Sequence, residues 1–214
     1  WTFDGKDMAG VISYDRSGQG NNGTLTNGPT RIKGKIGQGM DFDGTEDYVN
    51  LGTPASLNLS VQNKFTLSAW IKLSSNPSGA GVITEMYSPT NATVQYEIGF
   101  GLSDGTSNRL DVGFYDGVWR ISSDSVGSVP IGVWTQVTGV WDGTALILYR
   151  NGVQVASNNP GVSLPTTSID GYRIGSRHDI AGTIDFFPGL IDDVRVYNRA
   201  LSSDEIRRLY NLGR

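Results

Sequence analysis

No cysteine occurs in the 214 residues, and histidine occurs once, at position 178. The first absence excludes disulfides, thiolate metal sites and cysteine nucleophiles. The second leaves zinc without its customary ligands. It also leaves Ser-His-Asp chemistry with one candidate base, His178, and no nucleophile elbow around a serine. No basic run interrupts a net charge of −4, so the phosphate attraction that governs nucleic-acid binding is missing. No apolar stretch approaches the length of a membrane span. No fixed-period repeat appears, which disfavours a propeller or solenoid. No signal peptide is recognisable, yet the chain begins at Trp1 rather than Met, so a processed or excised segment is expected.

Aromatic residues are plentiful, with five Trp, nine Tyr and seven Phe, enough for a sizeable core. Glycine, at 29, has about twice its usual share and falls between apolar runs, as in strands joined by tight turns. Nothing reads as a linker, so one domain spanning 1–214 is expected. The sequons at Asn22, Asn58 and Asn91 matter only in a eukaryotic secretory route.

Trp1-Thr-Phe-Asp-Gly reads as a first strand entering a turn. The loop Tyr14-Asp-Arg-Ser-Gly-Gln-Gly-Asn-Asn-Gly-Thr-Leu alternates side-chain oxygens with glycines. Such a loop either lets oxygens converge on calcium or forms a glycine turn tied by Asp15 and Asn22 to nearby amides. Lys35 to Leu51 reads as a hairpin with Met40 and Phe42 on one face. In the next strand Phe65, Leu67, Ala69, Ile71 and Leu73 alternate with Thr66, Ser68, Trp70 and Lys72, a half-buried pattern. Trp70 lies on the polar side, either covering the outer face beneath another segment or standing in a groove. Further strands follow around Val82–Met86, Val94–Leu102, Arg109–Tyr115 and Val118–Ser122, the last two turning at Asp116-Gly117. Val133–Trp141, Ala145–Arg150 and Val153–Ala156 turn at Asp142-Gly143 and Asn151-Gly152, and Tyr172–Gly175 follows. This spacing predicts an all-β, two-sheet antiparallel sandwich.

The chain closes with Gly189-Leu-Ile-Asp-Asp-Val-Arg-Val-Tyr-Asn-Arg-Ala-Leu-Ser-Ser-Asp-Glu-Ile-Arg-Arg-Leu-Tyr210. Its first half is a strand. Its second half is a short helix, because Ser202 stands three residues before Glu205 as in a capping box. Alternation puts Asp192 on the face of Val194 and Val196, pointing inward. A buried charge there needs a cation or several donors, so Asp192 is either a carboxylate bonded to backbone amides or a calcium ligand.

These landmarks resemble the laminin-G-like jelly roll of the concanavalin A-like lectin and glucanase superfamily. They are Phe3-Asp4, Asp15-x-Ser17-Gly-x-Gly-Asn-x-Gly23, Phe42-Asp-Gly, Phe65-Thr-Leu-Ser-Ala-Trp70, Trp134-Thr-Gln-Val, Trp141-Asp-Gly, Leu148-Tyr-x-Asn-Gly152 and Gly189-Leu-Ile-Asp-Asp-Val-Arg-Val-Tyr. The resemblance implies a secreted or surface protein, usually bacterial, in which the domain accompanies enzymes or adhesins. It also implies one structural calcium near the chain ends, for which Asp15, Asn22 and Asp192 are the candidate ligands.

A glucanase on this fold would carry Glu-x-Asp-x-x-Glu or Glu-x-Asp-x-Glu along one strand, so that alternation aims all three at one sugar. No strand here has that spacing. Glu85 and Glu97 stand singly, and together remain a non-standard pair for glycan cleavage. No catalytic residue is therefore assigned, and an enzyme is not expected. Binding remains. Aromatic platforms and planar polar groups that suit sugars occur in two loops, with Tyr115, Trp119 and Arg120 in one and Arg177 and His178 in the other. The same aromatics would serve equally to close the sandwich end. The expectation is a calcium-stabilised carbohydrate-binding module of a larger secreted bacterial protein, its partners a glycan or polysaccharide and neighbouring domains. An adhesion or structural module is the alternative, and a divergent glycan-cleaving enzyme a weaker one.

Overall fold

The computed structural model describes residues 1–77, 79–88, 94–100, 108–166, 171–179 and 182–214; for 87–88, 94–100, 178–179 and 182–184 it describes the backbone alone. The first strands are β1 (Met8–Ala9), β2 (Ile12–Ser13), β3 (Gly23–Thr26), β4 (Thr30–Lys33), β5 (Gln38–Asp43) and β6 (Tyr48–Asn50). Next come β7 (Phe65–Leu73), β8 (Gly81–Ser88), β9 (Val94–Phe100), β10 (Leu110–Tyr115), β11 (Trp119–Ser123) and β12 (Thr135–Trp141). Last are β13 (Leu146–Arg150), β14 (Val153–Asn158), β15 (Gly171–Ile174), β16 (Arg177–Asp179), β17 (Gly182–Ile184), β18 (Pro188–Tyr197) and the helix α1 (Ser203–Leu212).

Among the described residues the strands form a nine-stranded sheet, β1-β2-β3-β6-β15-β8-β9-β10-β11, and a seven-stranded sheet, β14-β13-β12-β7-β18-β5-β4. The β16–β17 hairpin stands apart. The two large sheets pack face to face as the expected antiparallel sandwich. Phe65, Leu67, Ala69, Ile71 and Leu73 all point into the core, as their alternation requires. Phe114 of one sheet meets Trp141 of the other edge to face, centroids 5.5 Å apart, a favourable aromatic geometry. At Gly139 a side chain would overlap Val112 of the facing sheet, so the absence of a Cβ sets how closely the layers approach.

The Asp-Gly and Asn-Gly hairpins form as expected: β10 with β11, β12 with β13 and β13 with β14. Lys35–Leu51 is not a hairpin. β5 belongs to the seven-stranded sheet and β6 to the nine-stranded one, and the Asp43 Oδ1 acceptor explains the crossing. It takes the amides of Thr45, Glu46 and Asp47 at 2.8, 3.1 and 3.3 Å, turning the chain out of its first sheet. Trp1–Asp4 is not a strand either, although Trp1 exchanges two backbone hydrogen bonds with Val194.

The helix docks on the outer face of the seven-stranded sheet. Ile206 and Leu201 bury against Val140 and Tyr149, and Tyr210 stacks on Trp70 at 5.6 Å. Trp70 is thus covered by the helix and does not stand in a groove. The capping box is present: Ser202 N donates to Glu205 Oε2 at 2.8 Å, and Glu205 N donates to Ser202 Oγ at 3.4 Å. Replacing Ser202 by Ala is expected to cost about 1 kcal/mol in chemical denaturation. An unchanged midpoint would mean that the helix adds nothing to global stability.

Candidate functional site

The β10–β11 turn brings Tyr115 opposite Trp119 in register, rings 5.2 Å apart and inclined by 56°. Both rings are half-buried and lie on the outer face of the nine-stranded sheet, because Phe114 between them and the core is fully buried inward. Arg120 does not join them. It pairs across the ladder with Phe114, hence on the other side of β11, and its Nε donates to both oxygens of Asp116 at 3.2 Å. Trp119 and Ile121 pack on Ala80 and Val82 at the start of β8.

The second loop reaches the same place. Arg177 pairs with Asp185 at 2.8 Å. Asp185, in a left-handed conformation at φ 53°, accepts from the Ala80 amide through Oδ1 and from the Val82 amide through its carbonyl. The aromatic pair and the Arg177–Asp185 pair thus flank the segment Ala80–Val82. His178 pairs with Thr183 through the backbone of the β16–β17 hairpin; its side chain lies outside the described residues.

The neighbouring face is neither solvated nor empty of charge. Asp111 is fully buried and held by Arg109 at 3.1 and 3.3 Å. A cross-strand row runs Arg173, Glu85, Glu97, Gly113, Ile121. Glu85, buried, thus stands opposite both Arg173 and Glu97; the Glu97 side chain lies outside the described residues. Arg173 also lies over the Tyr48 ring at 4.4 Å. This arrangement offers an aromatic surface beside fixed planar ion pairs, which suits stacking on a sugar ring and bonding its hydroxyls.

The candidate calcium ligands fall in two places. Asp15 Oδ1 accepts the Ser17 amide at 2.7 Å, and Oδ2 accepts the Ser17 hydroxyl and the Asn21 amide at 2.7 and 3.0 Å. The Asp15 amide donates to Asn22 Oδ1 at 3.0 Å, which is the tied glycine turn. Asp192 lies elsewhere and faces the other way from the expectation. Ile191 pairs with Ile71 in the core, so Asp192, opposite Trp70, points outward. The register then shifts between Asp192 and Arg195, with Asp193 at φ 49°, and Val194 returns to the core. A one-residue bulge of this kind reverses the face of everything beyond it.

Asp192 is nevertheless fully buried. Its Oδ2 accepts the amides of Lys35 and Ile36 at 2.9 and 2.8 Å, and its Oδ1 has no hydrogen-bond partner among the described residues. Burial pushes this carboxyl up to about 6, against the opposing pull of the Ile36, Asp193 and Lys35 amides. Among the described residues no group of three His, Cys, Asp or Glu side chains is placed to hold a metal. The Asp192 Oδ1 left without a partner is a feature that fits a cation.

Sequence reasoning missed a cavity of about 630 Å³ between the Asp15 loop, Ser56–Gln62 and the second half of β18. Its walls come from segments far apart in the chain, so no local pattern announces it.

The family profile of the Concanavalin A-like lectin/glucanases superfamily matches residues 43–207. No curated protein matches the chain. Among solved structures, domain 4 of AbnA, a GH43 extracellular arabinanase from Geobacillus stearothermophilus in complex with arabinotriose, is similar at 20% identity. It covers 100% of this chain and 96% of that one, with a TM-score of 0.74. The NanB sialidase from Streptococcus pneumoniae is similar over 78% of this chain and 26% of that one, at 18% identity and a TM-score of 0.63. A heptameric SAP-like pentraxin from Limulus polyphemus covers 69% and 70%, at 18% identity and 0.52. At these identities the likeness is one of fold.

In metal-free buffer, Asp192→Asn is expected to stabilise the domain at neutral pH and to lose that advantage as the pH falls below 6. The folded carboxyl titrates near 6 and the unfolded one near about 3.9. The charged form therefore costs stability above pH 6, and the cost fades on protonation. Chemical denaturation of both proteins from about pH 4 to 8 checks this; a difference that does not change with pH contradicts it.

Proposed function

The chain belongs to the concanavalin A-like lectin/glucanase superfamily as a laminin-G-like jelly-roll domain, and from that premise we propose that it is a non-catalytic carbohydrate-binding module of a larger secreted bacterial protein. The observation that carries this reading is the meeting of Tyr115–Trp119 and Arg177–Asp185 on Ala80–Val82. Aromatic faces would stack on the apolar face of a sugar ring, and the fixed guanidinium and carboxylate would bond its hydroxyls. The carboxylates of Asp111, Asp116 and Asp185 are each paired with an arginine, which favours binding over proton transfer. The similar domain of an extracellular arabinanase holds arabinotriose, which supports a polysaccharide as the ligand class and a secreted or surface location.

Trp119→Ala is expected to weaken binding in a polysaccharide pull-down and glycan-array screen while costing no more than about 1–2 kcal/mol of stability. A fully buried Trp would cost about 3–5 kcal/mol. That larger loss, with binding unchanged, would make Trp119 a packing residue and remove the site from this face.

Calcium is the second part of the proposal. A divalent cation reached by Asp192 Oδ1 and by backbone carbonyls would satisfy the orphaned oxygen and hold the carboxylate ionised; hard oxygen donors suit calcium. Binding to the folded state alone raises stability by about 2.7 kcal/mol at a hundredfold excess over Kd. Wild-type melts are thus expected to rise in calcium relative to chelator, and Asp192→Asn to abolish the rise. Identical wild-type melts would leave Asp192 a carboxylate held by amides alone.

A further inference from the structure

The cavity of about 630 Å³ lies at the far end of the sandwich from Trp119. Its wall includes Tyr197, which pairs with Thr66 at the start of β7, whereas Ala80–Val82 follow the end of β7 at Leu73. The volume is that of a small-molecule site. The charges around it form two ion pairs, and one carboxylate keeps its charge. Asp193 binds Arg195 through two hydrogen bonds of 2.9 Å and Arg16 is paired with Asp7, whereas Asp15 takes only the neutral donors of Ser17 and Asn21 and stays negative. The side-chain amides of Gln19, Gln62 and Asn198, which also line the cavity, have no hydrogen-bond partner among the described residues.

The bulge gives this wall its form. Asp193 sits in the left-handed region at φ 49°, uncommon for a residue with a Cβ, and bulges recur where a side chain must be re-aimed beside a site. Here the bulge brings Asp193 and its arginine into the wall of the cavity, which Leu57 and Leu59 also line. Three free amides, each both donor and acceptor, match hydroxyls, which are also both. The two ion pairs attract no ionic partner, and the remaining Asp15 carboxylate repels an anionic one.

We propose that this cavity is a second saccharide subsite, selective for a neutral sugar unit and independent of the Trp119 surface. The test is an NMR titration that follows the side-chain amide signals of Gln19, Gln62 and Asn198 together with the Trp119 indole signal. The probes are arabinotriose, cellotriose and the anionic trigalacturonate. The three amides are expected to shift with at least one neutral trisaccharide, to remain unmoved by trigalacturonate, and to respond unchanged in Trp119→Ala. The double variant Gln62→Ala, Asn198→Ala is expected to weaken this site roughly tenfold, the scale of one or two lost hydrogen bonds, without altering the indole response. Amides unmoved by both neutral probes, a stronger response to trigalacturonate, or loss of the response in Trp119→Ala would each overturn the proposal. A silent indole beside shifting amides would instead count against the Trp119 surface alone.

Discussion

β18 lies between β7 and β5, and its backbone hydrogen bonds hold the seven-stranded sheet together. Without it β14-β13-β12-β7 and β5-β4 would be separate pieces. The strand does this in two stretches. Pro188–Ile191 pairs on both sides; beyond the bulge, Arg195–Tyr197 pairs with β7 alone. The bulge therefore does two things at once. It places Asp192 under the Lys35–Ile36 turn, and it frees one edge of the strand to line a cavity.

Several polar groups enclosed outside the main core find partners on both sheets, as burial favours. Beneath α1, Gln136 Nε2 donates to Ser68 and Thr138 hydroxyls at 2.9 and 2.7 Å. On the nine-stranded sheet Asp111 is matched by Arg109. Asp192 Oδ1 is one of several buried polar atoms without a hydrogen-bond partner among the described residues, and as a carboxylate oxygen it is a candidate contact for a cation.

What could be read in advance was local. The alternation from Phe65 to Leu73, the Asp-Gly and Asn-Gly turns and the Ser202–Glu205 cap depend on residues a few positions apart, and they formed. Only the expected half-burial of Phe65–Leu73 fails, because Thr66, Ser68 and Trp70 on its outer face are buried as well. The misreadings share a cause as well. β5 and β6 look like a hairpin until Asp43 gathers three amides and sends the chain to the other sheet. Asp192 looks inward until a single residue, Asp193, adopts a left-handed conformation. Period-two reasoning assumes an unbroken ladder, and neither the crossing nor the bulge leaves a mark on hydrophobic spacing. Arg120 adjoins Trp119 in sequence, yet alternation itself separates them. The convergence of Trp119 and Asp185 on Ala80–Val82 joins residues more than sixty positions apart, beyond the reach of any motif.

The central place of β18 also bears on how the chain is assembled as it is made. β5 and β7 are present in the growing polypeptide long before Pro188–Tyr197 arrives to join them. Until then each presents an unpaired strand edge, and such edges invite pairing with another chain. Closing contacts this distant in sequence also form slowly. The interval between the synthesis of β7 and that of β18 is thus the period in which this domain is most exposed to misassembly, and a ribosome paused within it would lengthen the exposure.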